Sequence, residues 1–141
     1  PILAVQNYPV RSIVPDGSDL GTMTNTGRSL SAVTTTVDFS VTTTATYGTN
    51  AQATVGTRRV LWAGDCRSDG DLKYTGTNND RDLILQRVGG VIPTNTLGGY
   101  YRDDVNMDGL VKYTGTSNDR DRILVNIGGT VPTNILFEQL P

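Results

Sequence analysis

The chain has 141 residues, enough for one ordinary domain or two small ones, and only 36% of them are hydrophobic. It has no histidine and a single cysteine, which removes the commonest general base, the usual zinc ligand and any intrachain disulfide. The net charge is −2, there is no basic stripe, and no apolar run approaches the ~18 residues of a membrane span, so we expect neither nucleic-acid binding nor a membrane-spanning helix.

Residues 1–62 are rich in Thr, Ser and Val, a composition that favours strands over helices. Val37, Phe39 and Val41 alternate with polar residues, which is the period of a half-buried strand and argues against the alternative of a flexible Thr-rich linker. We predict a small antiparallel β-sheet or an incomplete sandwich. The predicted strands are Ile2–Tyr8, Val10–Val14, Thr34–Ala45 and Gln52–Trp62, and the predicted turns are Pro15–Ser18 and Tyr47–Asn50.

Acidic residues are concentrated in the second half of the chain. Of the 14 acidic residues, ten are aspartates within 65–82 or 103–121. Carboxylates this close in sequence repel one another unless cations neutralise them. Because the hydrophobic fraction is also low, we expect metal ions to contribute to the stability of the fold.

The same half contains a duplicated unit. Shifting the chain by 39 residues superposes 65–95 on 104–134, with 19 identities in 31 positions. The shared elements are DG, KYTGT, NDRD, IL, GG and PTN. The predicted domains are thus a β domain at 1–62 and a repeat domain at 63–141, whose first copy spans about 63–101 and whose second copy spans about 102–141.

The second copy begins with the motif DVNMDG, which fits the opening of an EF-hand calcium loop. Asp104, Asn106 and Asp108 supply oxygen-bearing side chains at alternate positions, so that they can converge on one cation. The glycine at position six, Gly109, permits a sharp turn, and Leu110 at position seven would contribute its main-chain carbonyl. An irregular, all-oxygen set of ligands suits Ca²⁺ better than Mg²⁺.

The acid that closes this loop is delayed. Position twelve, which is a carboxylate in an EF-hand, is Gly115, so Asp119 is expected to take that role, with Asp121 as an alternative or an additional ligand. Asn118 is a predicted helix N-cap, and the helix is expected to end at Gly128-Gly129. The predicted apolar face of this helix consists of Ile123, Leu124 and Ile127.

The first copy repeats this pattern with one ligand missing. Arg67 stands at position three and cannot bind a cation, so we expect a weaker site, which the extra carboxylate of Asp71 would partly compensate. Cys66 matches Val105 and is expected to point into the core, with a reactive thiol as the alternative. The predicted metal ligands of the first copy are Asp65, Asp69, Asp71, Asp80 and Asp82, giving one or two Ca²⁺ ions per chain.

The DVNMDG and NDRD…IL elements resemble dockerin-type repeats, which are EF-hand-like loop–helix units that occur in pairs. The longer pattern from LWAGD onward resembles a C-terminal region of large secreted and surface proteins of the Bacteroidota, many of them exported by the type IX route. This resemblance extends upstream to LGTMT at 20–24 and TTVDFS at 35–40 and covers about 120 residues. It implies an α+β fold in which the N-terminal sheet precedes a dockerin-like pair of calcium loop–helix repeats. It also implies an extracellular or cell-surface location and an adhesin-like protein.

We therefore expect an extracellular calcium-binding structural module of a secreted or surface protein, with a protein partner or self-assembly. One alternative is a docking module whose predicted helices, Asp80–Val88 and Asp119–Ile127, form the partner surface. Its exposed arginines, which could bind an acidic partner, would be Arg81, Arg87, Arg120 and Arg122. Another is a filament subunit that assembles by addition of the strand Pro1–Val14 to a neighbouring sheet. Carbohydrate binding has no supporting motif. An enzyme is not expected, because histidine is absent and the paired carboxylates have metal-loop spacing. Because the sequence begins at Pro1, we expect a mature, processed or partial chain.

Overall fold

The structure, a computed structural model, describes residues 7–8, 19–29 and 36–140. These residues belong to two compact units. The first unit takes its described residues from 7–8, from within 21–61 and from 139–140, and the second takes them from 19–20 and 62–138. No helix in the described part of the chain is long and apolar enough to cross a membrane, in line with the prediction from composition.

Regular structure is short throughout the described residues. No strand there is longer than three residues, and the two helices have seven and eight residues. In chain order the elements are β1 Asn7–Tyr8, β2 Asp19–Leu20, β3 Arg28–Ser29, β4 Ala53–Val55, β5 Arg58–Val60, β6 Trp62–Ala63, β7 Asp71–Lys73, α1 Arg81–Arg87, β8 Thr96–Gly98, β9 Leu110–Lys112, α2 Asp119–Asn126 and β10 Ile135–Phe137.

The predicted fold class is wrong. Instead of an α+β arrangement with a dockerin-like pair of loop–helix repeats, the described chain is mostly two-stranded antiparallel sheets with two short helices. The helices are short because two consecutive glycines follow each of them. Gly89 and Gly90 have φ values of 110° and 77°, and Gly128 and Gly129 have 114° and 78°, in the left-handed region that ends a helix. After each pair of glycines the chain returns as a strand, β8 or β10.

In the first unit, the predicted strand Gln52–Trp62 is a hairpin followed by a separate strand. The chain reverses at Gly56, where φ is 60°, and β4 then pairs antiparallel with β5, with Ala53 opposite Val60. Residues 47–50 bend as predicted. The other strand pairing in this unit, β1 with β3, includes the only described part of the predicted strand Ile2–Tyr8. The predicted strand Val10–Val14 and turn Pro15–Ser18 lie outside the described residues.

The predicted strand Thr34–Ala45 is also wrong, because its described part, residues 36–45, contains no strand and forms turns and bends at 39–44. The Asp38 carboxylate accepts a hydrogen bond from the Ser40 N–H at 2.8 Å, and the Thr44 hydroxyl donates to the Asp38 carbonyl. Short polar side chains that bond to nearby main chain compete with strand pairing. The alternation of apolar residues around Phe39 therefore does not produce a strand here. In the described residues of this unit the β-structure consists of separate pairs rather than a sandwich.

In the second unit, strands pair across the two copies of the repeat. β10 of the second copy pairs with β7 of the first, and β8 of the first copy pairs with β9 of the second. The registers are equivalent: Leu136 lies opposite Leu72, and Leu97 lies opposite Val111, each residue 39 positions from its counterpart. The two copies are thus related by an approximate twofold arrangement. A further strand pair of this unit, β2 with β6, lies outside this relation.

Both copies contribute to one hydrophobic core. The predicted apolar helix face is confirmed, since Ile123 and Ile127 are buried and Leu124 packs against the core. Burial of a side chain of this size contributes about 1.5–3 kcal/mol. The buried core residues of the second unit are Leu20, Cys66, Leu72, Ile84, Val88, Val105, Val111, Ile123 and Ile127.

Candidate metal centre

The loop of the second copy folds around the buried carboxylate of Asp104. Its two oxygens accept hydrogen bonds from the main-chain N–H groups of Asp108, at 3.1 Å, and Gly109, at 2.9 Å. Gly109 has a φ of 82°, which glycine adopts without a steric penalty. The amide oxygen of Asn106 accepts a further bond from the Asp108 N–H at 2.8 Å. The three predicted side-chain ligands at the start of the loop are therefore held in one tight turn.

The structure distinguishes between the two acids predicted to close this loop. Asp119 is fully buried, and its oxygens accept the main-chain N–H groups of Asn106, at 3.2 Å, and Lys112, at 2.7 Å. The side chain of Asp121 is 54% exposed and accepts a bond from the Asn118 amide at 2.8 Å. Asp119 thus joins the loop to the start of α2, whereas Asp121 belongs to the helix cap. Asn118 is the N-cap as predicted, accepting from the Asp121 N–H at 2.9 Å.

The remaining predicted ligands lie where the loop enters β9. One oxygen of Asp108 accepts the Leu110 N–H at 2.9 Å, and the other lies 3.6 Å from the ammonium group of Lys112. Leu110 begins β9, so its main chain is fixed by pairing with β8. Of the three carboxylates Asp104, Asp108 and Asp119, Asp108 is therefore the one that has a cationic neighbour within the described residues.

The first copy reproduces these bonds. Asp65 accepts the N–H groups of Asp69, at 3.2 Å, and Gly70, at 3.0 Å. Asp80 accepts those of Arg67, at 3.1 Å, and Lys73, at 2.8 Å. Each bond is the equivalent, 39 residues earlier, of a bond in the second copy. The pair Asp65 and Asp80 therefore matches the pair Asp104 and Asp119.

The other three predicted ligands of the first copy, Asp69, Asp71 and Asp82, contact neighbouring side chains. Arg67 Nε lies 3.4 Å from Asp69, so the residue that replaces Asn106 adds a positive charge to the site. Asp71 pairs with the Lys73 ammonium, and Asp82 accepts a bond from the Asn79 amide at 2.9 Å. The structure thus places Asp65, Asp69 and Asp80 in one loop without converging their carboxylates, and it pairs Asp71 with Lys73 and Asp82 with the helix cap.

Burial makes the carboxylates of Asp65, Asp80 and Asp119 costly to ionise, and these three lie in the loops together with the buried carboxylate of Asp104. Desolvation raises the pKa of Asp80 to about 7, against hydrogen bonds that lower it, and the nearby charge of Asp65 raises it further. Desolvation also raises the pKa of Asp65 and of Asp119, and the charge of Asp104 adds to the rise at Asp119. Within the described residues none of these four carboxylates forms an ion pair with a lysine or arginine.

The donor set is one of oxygen atoms. In the described part of the chain, no three carboxylate, thiol or imidazole groups converge as a metal cluster. A cation in the second loop would therefore need the Asn106 amide oxygen and the Leu110 carbonyl in addition to carboxylates, as the sequence predicts. Such mixed oxygen sets fit calcium, which takes six to eight oxygen ligands from carboxylates, amides and main-chain carbonyls.

Comparison with protein-family models, with curated proteins and with solved structures finds no significant match to this chain.

Sequence reasoning missed the role of the repeated lysines. The main-chain N–H groups of Lys73 and Lys112 donate to Asp80 and Asp119, respectively. Their ammonium groups lie beside Asp71 and Asp108, respectively. Their presence at equivalent positions of the KYTGT element was the signal. The lysine ammonium groups offset part of the negative charge of each loop, and within the described residues they form no ion pair with its two buried carboxylates.

Most of the arginines proposed to form a docking surface already contact side chains of their own unit. The guanidinium groups of Arg81 and Arg120 lie over the rings of Tyr74 and Tyr113, at 5.2 and 5.1 Å from the ring centres, and each pairs with the next residue, an aspartate. Arg87 pairs with the buried carboxylate of a neighbouring aspartate. These contacts account for three of the four arginines in the predicted docking pattern and tie them to their own unit.

Cys66 lies in the core as predicted and lines a cavity of about 380 Å³. Desolvation, followed by the surrounding carboxylates, raises the pKa of its thiol well above the usual value. Because the thiolate is the reactive form, this environment favours the structural role over the reactive one. The cavity is lined by Cys66, Leu83, Gln86, Arg87, Arg102 and Asp103.

Proposed function

We propose that the chain is an extracellular calcium-binding structural module in which the Asp104 loop is the principal site. The observation that carries this proposal is the buried pair Asp104 and Asp119, whose recorded hydrogen-bond donors are main-chain N–H groups. Two buried carboxylates without a cationic side chain are costly, and a bound cation offsets that cost. A calcium ion between the loop and the start of α2 would satisfy both.

The role of the ion would be to connect parts of the fold. Asp104 lies at the start of the loop and Asp119 at the first residue of α2, so one ion bound to both would hold the helix against the loop. Because this arrangement exists only in the folded chain, the free energy of calcium binding adds to the free energy of unfolding. A chain with 36% hydrophobic residues has reason to use this source of stability.

The two loops are expected to differ in affinity. In the first copy, Arg67 replaces the amide ligand and its guanidinium lies beside Asp69, so both a ligand and part of the negative charge are lost. Extracellular calcium modules bind at ~10⁻⁴–10⁻³ M, which suits the millimolar calcium outside cells. The extracellular location rests on the sequence resemblance.

The filament and docking alternatives are supported less well. The strand proposed for filament assembly, Pro1–Val14, is described only at Asn7–Tyr8, where β1 already pairs with β3. The docking pattern uses arginines that bind neighbouring tyrosines and aspartates.

Thermal unfolding with calcium and with EDTA tests the proposal. At 10 mM Ca²⁺ and a dissociation constant of ~0.1–1 mM, binding adds about 1.4–2.7 kcal/mol, which raises Tm by roughly 6–20 °C for a domain of this size. Asp119→Asn should abolish most of this rise, whereas the matched change Asp121→Asn, two residues along the same helix, should preserve it. An equal Tm in calcium and in EDTA, or equal losses in the two variants, would contradict the assignment.

A further inference from the structure

The two copies of the repeat do not complete their own sheets. Each copy places its early strand, β7 or β9, against the late strand of the other copy, β10 or β8. The pairings are equivalent residue for residue, so that Lys73 lies opposite Ile135 and Lys112 lies opposite Thr96. A late strand of one copy is therefore built to fit an early strand on a different copy.

Side-chain hydrogen bonds also join the two copies. The Thr75 hydroxyl of the first copy donates to the Pro132 carbonyl of the second at 2.8 Å, and the Thr114 hydroxyl of the second copy donates to the Pro93 carbonyl of the first at 2.9 Å. The core is shared as well, because α1 and α2 contact each other and α2 also packs on β7. Each copy thus relies on the other for strand pairing and for part of its core.

We propose that this interface also forms between molecules, so that the first copy of one chain pairs with the second copy of another and the partner is a second copy of this chain. The same strand registers, hydrogen bonds and core contacts would be made in the exchanged dimer as within one chain. Only residues 99–101, which connect β8 to the second copy, must change their path. Gly99 within this connection has a φ of 127°, so a bulkier residue would be strained there.

The balance between the two forms is set by concentration. Because the contacts are the same in both forms, the connection between the copies sets the balance. A short connection gives the two copies of one chain an effective concentration on the order of 1 mM for each other. At 1 mM protein, about half of the chains should be in exchanged dimers after unfolding and refolding, and at 10 µM about 2%.

Single-cysteine variants test this exchange in the full chain. In a Cys66→Val background, which copies the valine of the second repeat, Lys73→Cys and Ile135→Cys are made in separate molecules. Equal amounts are unfolded together, refolded and oxidised, and covalent dimers are measured on a non-reducing gel. A disulfide forms only where the first copy of one chain meets the second copy of the other, because paired antiparallel residues have suitable Cα separations. Since half of the dimers combine the two variants, about a quarter of the chains should be cross-linked at 1 mM and about 1% at 10 µM.

Two controls make the result specific. The same variants refolded separately and then mixed should give no cross-linked dimer, and neither should Lys73→Cys refolded with Thr96→Cys, since both positions lie in the first copy. The pair Thr96→Cys and Lys112→Cys reports the other sheet and should reproduce the yield, which guards against a local folding defect. The proposal would be overturned if, at 1 mM, neither cysteine pair gave more cross-linked dimer than these controls. A yield of cross-linked dimer that did not depend on protein concentration would also overturn it.

Discussion

Without calcium, the second unit should become less stable as the pH rises from 5 to 7, the reverse of the usual behaviour of a paired carboxylate. The reason is Asp80, whose pKa is about 7 in the folded chain against an ordinary value of 3.8. Between these values the folded state keeps a proton that the unfolded state has lost. Its stabilising contribution is therefore complete below the unfolded pKa and is lost as the pH rises through the folded pKa.

The size of this effect follows from the two pKa values. For one group with these values, the free energy of unfolding falls by about 2 kcal/mol between pH 5 and pH 7. Asp65 and Asp119 change in the same direction, since burial raises the pKa of each. The corresponding fall in Tm is roughly 8–16 °C. Thermal unfolding followed by circular dichroism in EDTA, at half-unit steps of pH, measures it.

Calcium and a matched pair of variants identify the group responsible. Calcium competes with protons for the same carboxylates, so the slope of Tm against pH should flatten or reverse in 10 mM Ca²⁺. Asp80→Asn should remove much of the slope in EDTA, whereas Asp82→Asn, an exposed acid in the same turn, should retain it. A Tm that rises from pH 5 to pH 7 in EDTA would refute the argument from burial. Identical slopes with and without calcium would refute calcium binding at Asp80, in the first and weaker loop.

Three further predictions concern the fold itself. Ile123→Ala should lower the free energy of unfolding by about 2–5 kcal/mol in urea titrations, because the side chain is fully buried, whereas Val125→Ala on the exposed side of α2 should change it by less than about 0.5 kcal/mol. Asn118→Ala should cost about 1 kcal/mol by removing the cap of α2, and an unchanged Tm would show that the cap is dispensable. The Cys66 thiol should react with a thiol reagent only at the rate of unfolding, so rapid labelling of the native chain would contradict its burial.

The sequence alone was enough to locate the repeated loops and helices. The 39-residue repeat, the sharp turn at Gly109, the N-cap at Asn118 and the buried face at Ile123 and Ile127 were all predicted and are all present. These features depend on residues close together in the chain, such as a cap and the N–H three residues later, or apolar residues four apart on one helix. Local chemistry of this kind is readable without knowing where the chain goes next.

The first half of the chain shows where local patterns fail. A strand was predicted at Thr34–Ala45 from alternation, but the carboxylate of Asp38 and the hydroxyl of Thr44 bond to nearby main chain instead. Alternating hydrophobicity indicates that a strand would have one apolar face, and it does not show that another strand is available to pair with it.

Only the tertiary structure decided which acid of α2 bonds to the second loop and how the copies combine. Asp119 and Asp121 both lie in the first turn of α2, and the choice depends on which side of the helix faces the N–H groups of Asn106 and Lys112. The fold class was mistaken for a related reason. The pairing of β7 with β10 joins residues more than 60 positions apart, through strands too short to carry a period of their own. The sequence by itself therefore determined two repeated acidic loops and their helices, and contacts between distant residues determined the β-rich unit that holds them.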